Sequence, residues 1–222
     1  MEKGAGFIIV LLIASLILSG CIEGDIPKEL PLGGSSGDAK DTDALIDDFE
    51  MDDYDSMDNL DDIIAKGEAA IPPLKEELKS EDPDRRWGAT YAIGGIGFEL
   101  DPDERDKVIP ALKDGFDDED PRLRQLSAGL AASFGDKSGL PILIEYLDDE
   151  ELTFYAEPPE PYYVYSITVL RHYTGQDFGY DMEASAEENA EAIGKWWGWW
   201  NTNGESLSWV PGKSDEGRYI MK

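Results

Sequence analysis

Two residue types that often perform chemistry occur once each in the 222-residue chain, as Cys21 and His172. A lone cysteine excludes an internal disulfide and a cysteine-based zinc cluster, and a single histidine cannot complete the usual zinc ligand set. The serines form no nucleophile elbow, because the one G-x-S-x-G match, GGSSG (33–37), lies in a Gly- and Ser-rich stretch and not between a strand and a helix. The chain has neither a Walker loop nor a G-x-G-x-x-G motif. The sequence therefore predicts no catalytic residue, no metal ligand and no cofactor.

Acidic clusters are the residues that could still hold a cation. The run DDYDSMD (52–58) resembles the start of an EF-hand loop. Counted from Asp53, however, its fifth position is Met57, and the required glycine and glutamate are missing. Two further clusters, at 117–120 and 148–151, fall in predicted turns. We interpret all three as solvated acidic faces, with calcium binding as the alternative.

Four arginines stand early in two predicted helices of this acidic chain. We expect them to pair with acids in the turns of the neighbouring helical repeat, and the alternative is a site for a small anion or a peptide carboxylate. They form the first half of a predicted interaction surface: Arg85, Arg86, Arg122 and Arg124.

Four tryptophans in the run WWGWW form the second half of that surface. On one helix they cannot all point the same way, so we interpret them as an aromatic plug that closes the end of the fold. An exposed aromatic platform for a sugar or a peptide is the alternative. These residues are Trp196, Trp197, Trp199 and Trp200.

The charge balance limits the classes of partner. There are 49 acidic residues against 19 basic ones, which gives a formal charge of −30. Binding to DNA or RNA needs a basic surface, and anionic lipid headgroups repel such a chain, so both are disfavoured. Strong self-repulsion is screened at high ionic strength, and we therefore expect a salt-adapted or archaeal cell surface.

The first residues have the layout of a secretory signal peptide. A short polar start carries Lys3, an apolar block runs from 7 to 18, and small residues precede Cys21. The block is shorter than the roughly 20 residues that span a bilayer. The ending LSGC resembles the lipobox of prokaryotic lipoproteins, and this resemblance implies a lipid on Cys21. The alternative is an uncleaved membrane anchor with an incidental cysteine.

The composition divides the chain into five parts. Residues 1–20 are the predicted signal peptide, and 21–40, rich in Gly, Ser and Pro, are a predicted flexible tether. The acidic segment 41–57 is expected to be partly disordered. Helical repeats are predicted for 58–175, and a Trp-rich capping region for 176–222.

The repeats start with three similar segments, AIPPLKEEL (70–78), VIPALKDGF (108–116) and GLPILIEYL (139–147). Each has a proline in the first turn and apolar residues four apart, as one face of a helix requires. The first two are followed by Asp-Pro and a second amphipathic segment, at 81–97 and 119–135. We expect Gly97 and Gly135 to end these second helices and 98–104 to be an inserted loop.

This unit of two helices resembles HEAT-like repeats of the short phycobilisome-lyase type. The motif DPDRRWGATYAIGGIG (82–97) carries the most specific part of the resemblance, which covers 58–175. It implies an all-α fold, an α-solenoid of about three helix pairs. A C-terminal helix from about Ala184 to Asn201 is expected to cover the last open pair, as a solenoid needs.

Function is predicted at the level of a class. The leading hypothesis is a scaffold, anchored through the lipid on Cys21 to the extracytoplasmic side of the cell membrane, that binds another protein. The resemblance leaves open a lyase-like enzyme or enzyme accessory, because those relatives act on tetrapyrrole–protein conjugation. A carbohydrate- or calcium-binding surface protein is the third class.

Overall fold

The computed structural model describes residues 60–152, 159–212 and 217–222. Cys21, the tether and the DDYDSMD run lie outside these described residues. The predictions made for them therefore stay predictions. Within the described residues, no helix combines the length and the apolar character that crossing a membrane requires.

Three helix pairs follow one another along the chain. The first helix of each pair is short: α1 (Ile71–Glu77), α3 (Ile109–Lys113) and α5 (Gly139–Glu145). The second is long: α2 (Pro83–Glu99), α4 (Pro121–Ser133) and α6 (Tyr162–Thr174). A helical segment at 60–64 precedes the first pair. Helix α2 contacts α4 and α4 contacts α6, so the long helices form a continuous row and the fold is an α-solenoid.

The Asp-Pro sequences start the second helices as predicted. Asp82 and Asp120 are the N-caps, and each accepts a hydrogen bond at 2.9 Å from the backbone N–H two residues later. Proline follows in the first turn, where its missing N–H leaves no helical bond unmade. The boundaries of α2 and α4 at this end follow directly from the sequence.

The other ends of these helices differ from each other. Gly135 ends α4 with a left-handed φ of 98°, and Asp136 N–H donates to the Ala131 carbonyl, as in a Schellman motif. The prediction that Gly97 ends α2 is wrong, because α2 continues to Glu99. A Cβ at Gly97 would lie 2.5 Å from the Phe134 ring, so this glycine allows α2 and α4 to approach closely.

The C-terminal region closes the solenoid with more than a helix. Helix α7 (Ala190–Asn203) contacts α5 and is followed by an antiparallel hairpin of β1 (Leu207–Val210) and β2 (Arg218–Met221). The helix starts later than the predicted Ala184. The Asn189 amide bonds back to the Asp181 carbonyl at 2.7 Å and holds the preceding residues in turns. The hairpin was not predicted.

The buried apolar residues form two clusters that meet at α4. One cluster lies between the first two pairs and includes Ile93, Leu112 and Leu130. The other joins the third pair to α7 and the hairpin, and Trp196 is at its centre. The small residues Ala128 and Ala132 place the second face of α4 in this second cluster. Helix α4 therefore ties the repeats to the closure.

Candidate functional site

Arg86 links two neighbouring repeats. Its Nη1 donates to the carbonyls of Ser80 and Glu81 at 2.9 and 3.3 Å, in the turn before α2. Its Nε and Nη2 donate to the two carboxylate oxygens of Asp118 at 2.8 and 2.9 Å, in the turn before α4. The hydrogen bond to Asp118 raises the pKa of Arg86. The Arg86 side chain is 7% exposed, and its guanidinium is bound by groups of the chain itself.

Arg85 and Arg122 also pair with acids, but only Arg122 pairs, as predicted, with an acid of the neighbouring repeat. Arg85 donates to Glu77 of the same repeat at 2.8 Å. Arg122 bridges Asp120, at 2.5 Å, and Asp84 of the preceding repeat, at 3.0 Å. Burial raises the pKa of the Asp120 carboxyl, but the hydrogen bonds from Arg122 outweigh burial and lower it overall. These arginines act first as links within the solenoid.

Arg124 occupies the place in α4 that Arg86 occupies in α2. Its Nη1 donates to the carbonyls of Asp118 and Glu119 at 2.6 and 3.1 Å, which matches the bonds that Arg86 makes one repeat earlier. Among the described residues, no carboxylate forms with Arg124 the ion pair that Asp118 forms with Arg86. Arg124 is half-buried at the edge of a surface cleft.

The cleft beside Arg124 has a volume of about 450 Å³. The rest of its lining comes from the end of α5 and the residues that follow: Glu145, Tyr146, Asp148, Asp149 and Glu150. The Tyr146 hydroxyl donates to the Pro121 carbonyl at 2.9 Å, and burial raises the pKa of this phenol while Arg124 opposes the increase. Part of the predicted acidic cluster 148–151 is therefore the wall of a cleft.

The four tryptophans of α7 divide into one buried ring and three half-buried rings. Trp196 is 0% exposed, and Phe178 and Trp199 pack edge-to-face against it at centroid distances of 4.9 and 5.8 Å. Trp197, Trp199 and Trp200 are half-buried around this ring. Trp196 is thus the centre of an aromatic plug, and only the three outer rings retain surface that a ligand could touch.

His172 lies in α6 and does not line the cleft, and its ring stands edge-on to Tyr173 with the centroids 4.6 Å apart. Across the described ranges, no group of three or more His, Cys, Asp or Glu side chains is arranged to hold a metal ion. Of the acidic cluster at 117–120, Asp118 bonds to Arg86 and Asp120 caps α4. These two carboxylates therefore have structural partners.

Gln125 is a connecting residue that the sequence did not reveal. Its amide donates to the Tyr162 carbonyl at 2.5 Å and to the Ser166 hydroxyl at 2.9 Å, with no exposed surface. It stands in α4 where Trp87 stands in α2. When α2 and α4 are aligned, polar Gln125 replaces apolar Trp87. This difference was the one sign in the sequence that hydrogen bonds join α4 to the third pair.

Residues 67–154 match the family of HEAT repeats. The helix pairs within this range are similar to HEAT repeats. The match covers α1 to α5, whereas α6 and the Trp-rich closure lie beyond it. No curated protein sequence matches the chain. The predicted repeat architecture is confirmed, and the phycobilisome-lyase type and the lipoprotein nature stay predictions.

Proposed function

We propose that this protein is a lipid-anchored scaffold on the extracytoplasmic face of a prokaryotic cell membrane, where its solenoid binds another protein. The observation that supports it most is the row of stacked HEAT-like pairs. Such a row presents a long side-chain surface without enclosing a reaction chamber, and repeat solenoids use surfaces of this kind for binding.

The anchor rests on the sequence LSGC and on no structural observation. Growth with radiolabelled lipid precursor tests it: we expect label on the wild-type chain and none on Cys21→Ser. Mass spectrometry of the N-terminal peptide gives a second measurement, because cleavage before Cys21 leaves a peptide that starts at this residue. An unmodified thiol behind intact residues 1–20 would instead support the uncleaved anchor.

Binding of a protein is tested by crosslinking in the native envelope and capture of the full chain. We expect a protein that is retained by the full chain and lost from a control carrying only residues 1–57. That control removes partners of the anchor and of the acidic segment. Recovery of the same proteins with both chains, or of none, would overturn the scaffold function.

A further inference from the structure

The hairpin of β1 and β2 has one face on the solenoid and one face in solvent. Trp209 and Tyr219 are opposite each other on the inner face, where the Tyr219 hydroxyl donates to the Ala132 carbonyl of α4 at 3.0 Å. Successive side chains of a strand alternate between the two faces, so Val210 and Ile220 lie on the outer face as diagonal neighbours. Both side chains are exposed.

Exposed apolar side chains are concentrated on this hairpin. Among the residues that the structure describes, four large apolar side chains are exposed, and three of them are Val210, Ile220 and Met221. The fourth, Leu152, lies in the connection before α6. Single exposed apolar residues are ordinary on a protein surface, but a group of them on one short element indicates contact with a membrane or with another protein.

The closure is also the part of the chain that has no excess of negative charge. Residues 190–222 contain four acidic and four basic residues, so the net charge of −30 belongs to the rest of the sequence. Within 207–212 and 217–222 the charged residues are Arg218 and Lys222, both exposed and both basic. The repulsion that disfavours contact between this acidic chain and lipid headgroups is therefore weakest at the hairpin. Acids that lie farther away than the Debye length, about 8 Å at physiological ionic strength, are largely screened.

We propose that the outer face of this hairpin docks on the lipid bilayer to which the chain is anchored. Val210 and Ile220 enter the boundary between headgroups and acyl chains. Arg218 and Lys222 stay at the level of the headgroups, as basic side chains do beside apolar surface at a membrane interface. The inference deepens the proposed function and rests on it, because the anchor brings the hairpin to the bilayer.

The anchor favours the bilayer over other occupants of this face. A flexible chain as long as 21–57 spans roughly 35 Å, so the hairpin stays close to the membrane at an effective concentration on the order of millimolar. A few apolar side chains give only weak binding, which is sufficient for a chain that cannot diffuse away. A second copy would instead bring two chains of charge −30 together. Docking through the closure leaves the acidic repeats free for the protein partner.

Tryptophan reporters in the full chain, reconstituted into phosphatidylcholine vesicles, test the inference. Either a lipid on Cys21 or an uncleaved apolar segment keeps this chain on the vesicles, and flotation measures that attachment separately. Bromine atoms on the lipid acyl chains quench only tryptophans that reach into the bilayer. We expect Ile220→Trp to add emission, relative to the wild type, that is mostly lost on brominated vesicles.

Leu152→Trp is the matched control reporter. Leu152 is 48% exposed, against 43% for Ile220. It pairs with Pro161 at the start of α6, whereas the hairpin contacts the other end of this helix through Trp209 and Tyr173. Because α6 has 13 residues, the two reporters lie about 20 Å apart. The emission that Leu152→Trp adds should survive on brominated vesicles.

An added charge shows whether the outer face itself makes the contact. Val210→Asp in the Ile220→Trp chain should remove the quenching, and the exposed Asn201→Asp on α7 should leave it unchanged. Chains that float while the Ile220→Trp emission is not quenched would overturn the inference, retain the anchor and assign the face to a protein. Equal quenching of both reporters, or quenching that survives Val210→Asp, would also overturn it. Chains that do not float would overturn the anchor and the inference together, whereas capture from the envelope tests protein binding independently.

Discussion

The repeat region and the C-terminal closure bring their helices together by different means. Between the repeats, glycines let neighbours approach: a Cβ at Gly94 would lie 2.6 Å from Leu130, and one at Gly129 would lie 2.2 Å from Tyr165. The closure is built around large rings, with Trp196 enclosed by aromatic neighbours, and its glycines lie against these rings, as Gly217 does against Trp209. Each repeat packs on the next through contacts that recur along the solenoid. The closure packs only once, on the last helix pair, so it can use large side chains that fit that surface alone.

Charge separates the same two regions. The junction between the first two pairs depends on the Arg86–Asp118 pair and on the carbonyls that Arg86 binds. The closure depends on apolar packing, and its connection to the repeats uses a few hydrogen bonds, such as that from the Lys137 ammonium to the Glu205 carbonyl at 2.8 Å. Substitutions in the two regions should therefore differ in size and in their response to salt.

The largest expected effect is that of Trp196→Ala in the closure. Removing a fully buried indole from the second cluster should lower the free energy of unfolding by about 3–5 kcal/mol. Urea unfolding followed by circular dichroism measures it. Trp197→Ala is the matched control, because this ring is only half-buried on the same helix and should cost much less. Equal losses would mean that the plug does not centre on Trp196.

The sequence predicted the features that depend on neighbouring residues in the chain and missed those that depend on contacts between helices. Helix starts were predictable because Asp-Pro acts locally: the cap and the proline affect only the next turn. Gly97 was predicted wrongly because its role depends on Phe134, a residue of another helix that no local pattern connects to it. A sequence pattern locates such a glycine but not the residue that it faces.

The candidate site was predictable in its residue types and less so in its contacts. Arginines early in second helices were expected to pair with acids of neighbouring turns, and Arg86 and Arg122 do so. The difference between Arg86 and Arg124 was not predictable, because it depends on where the third pair places its own acids. The hairpin escaped prediction because each strand has only four residues, too few for an alternating pattern.

The second prediction concerns the charged junction. Arg86→Gln leaves the Asp118 carboxylate, 12% exposed, without its cation, and this should cost about 3 kcal/mol of unfolding free energy. Arg124→Gln is the matched control and should cost less than 1 kcal/mol, of the order of a half-exposed hydrogen bond. Thermal and urea unfolding of both variants check this. Similar losses would show that Arg124 is as fully bound as Arg86.

The third prediction compares two glycines whose replacement by alanine should change the stability in opposite directions. A Cβ at Gly139, in α5, would lie 2.2 Å from the Ala128 carbonyl oxygen, so Gly139→Ala should destabilise by about 1–3 kcal/mol. A Cβ at Gly198, in α7, meets nothing within 4 Å, so Gly198→Ala should stabilise by about 0.5–1 kcal/mol. Unfolding midpoints decide the signs. Loss of stability at Gly198 would contradict the difference between the two regions.

The smallest expected effect lies where the two regions meet, in the turn after α4. Asp136 accepts hydrogen bonds from Ser138 and from the Lys113 ammonium at 2.9 Å, and Gly135 beside it lies against the Trp209 ring. Burial raises the pKa of Asp136, but these partners outweigh burial and lower it overall. A lowered folded-state pKa stabilises the protein above the unfolded value of about 3.9 and loses this contribution as the pH falls through the folded value.

Unfolding by urea at near-neutral pH and at successively lower pH measures that contribution. We expect Asp136→Asn to lose stability at neutral pH and to converge with the wild type in acid. The exposed Asp101→Asn is the control and should keep the wild-type stability at neutral pH. Parallel curves for Asp136→Asn and the wild type would place the cost of the substitution in packing. Packing, and not charge, would then join the repeats to the closure at this turn. The ion pairs that stabilise the solenoid would be confined to the junction of the first two pairs.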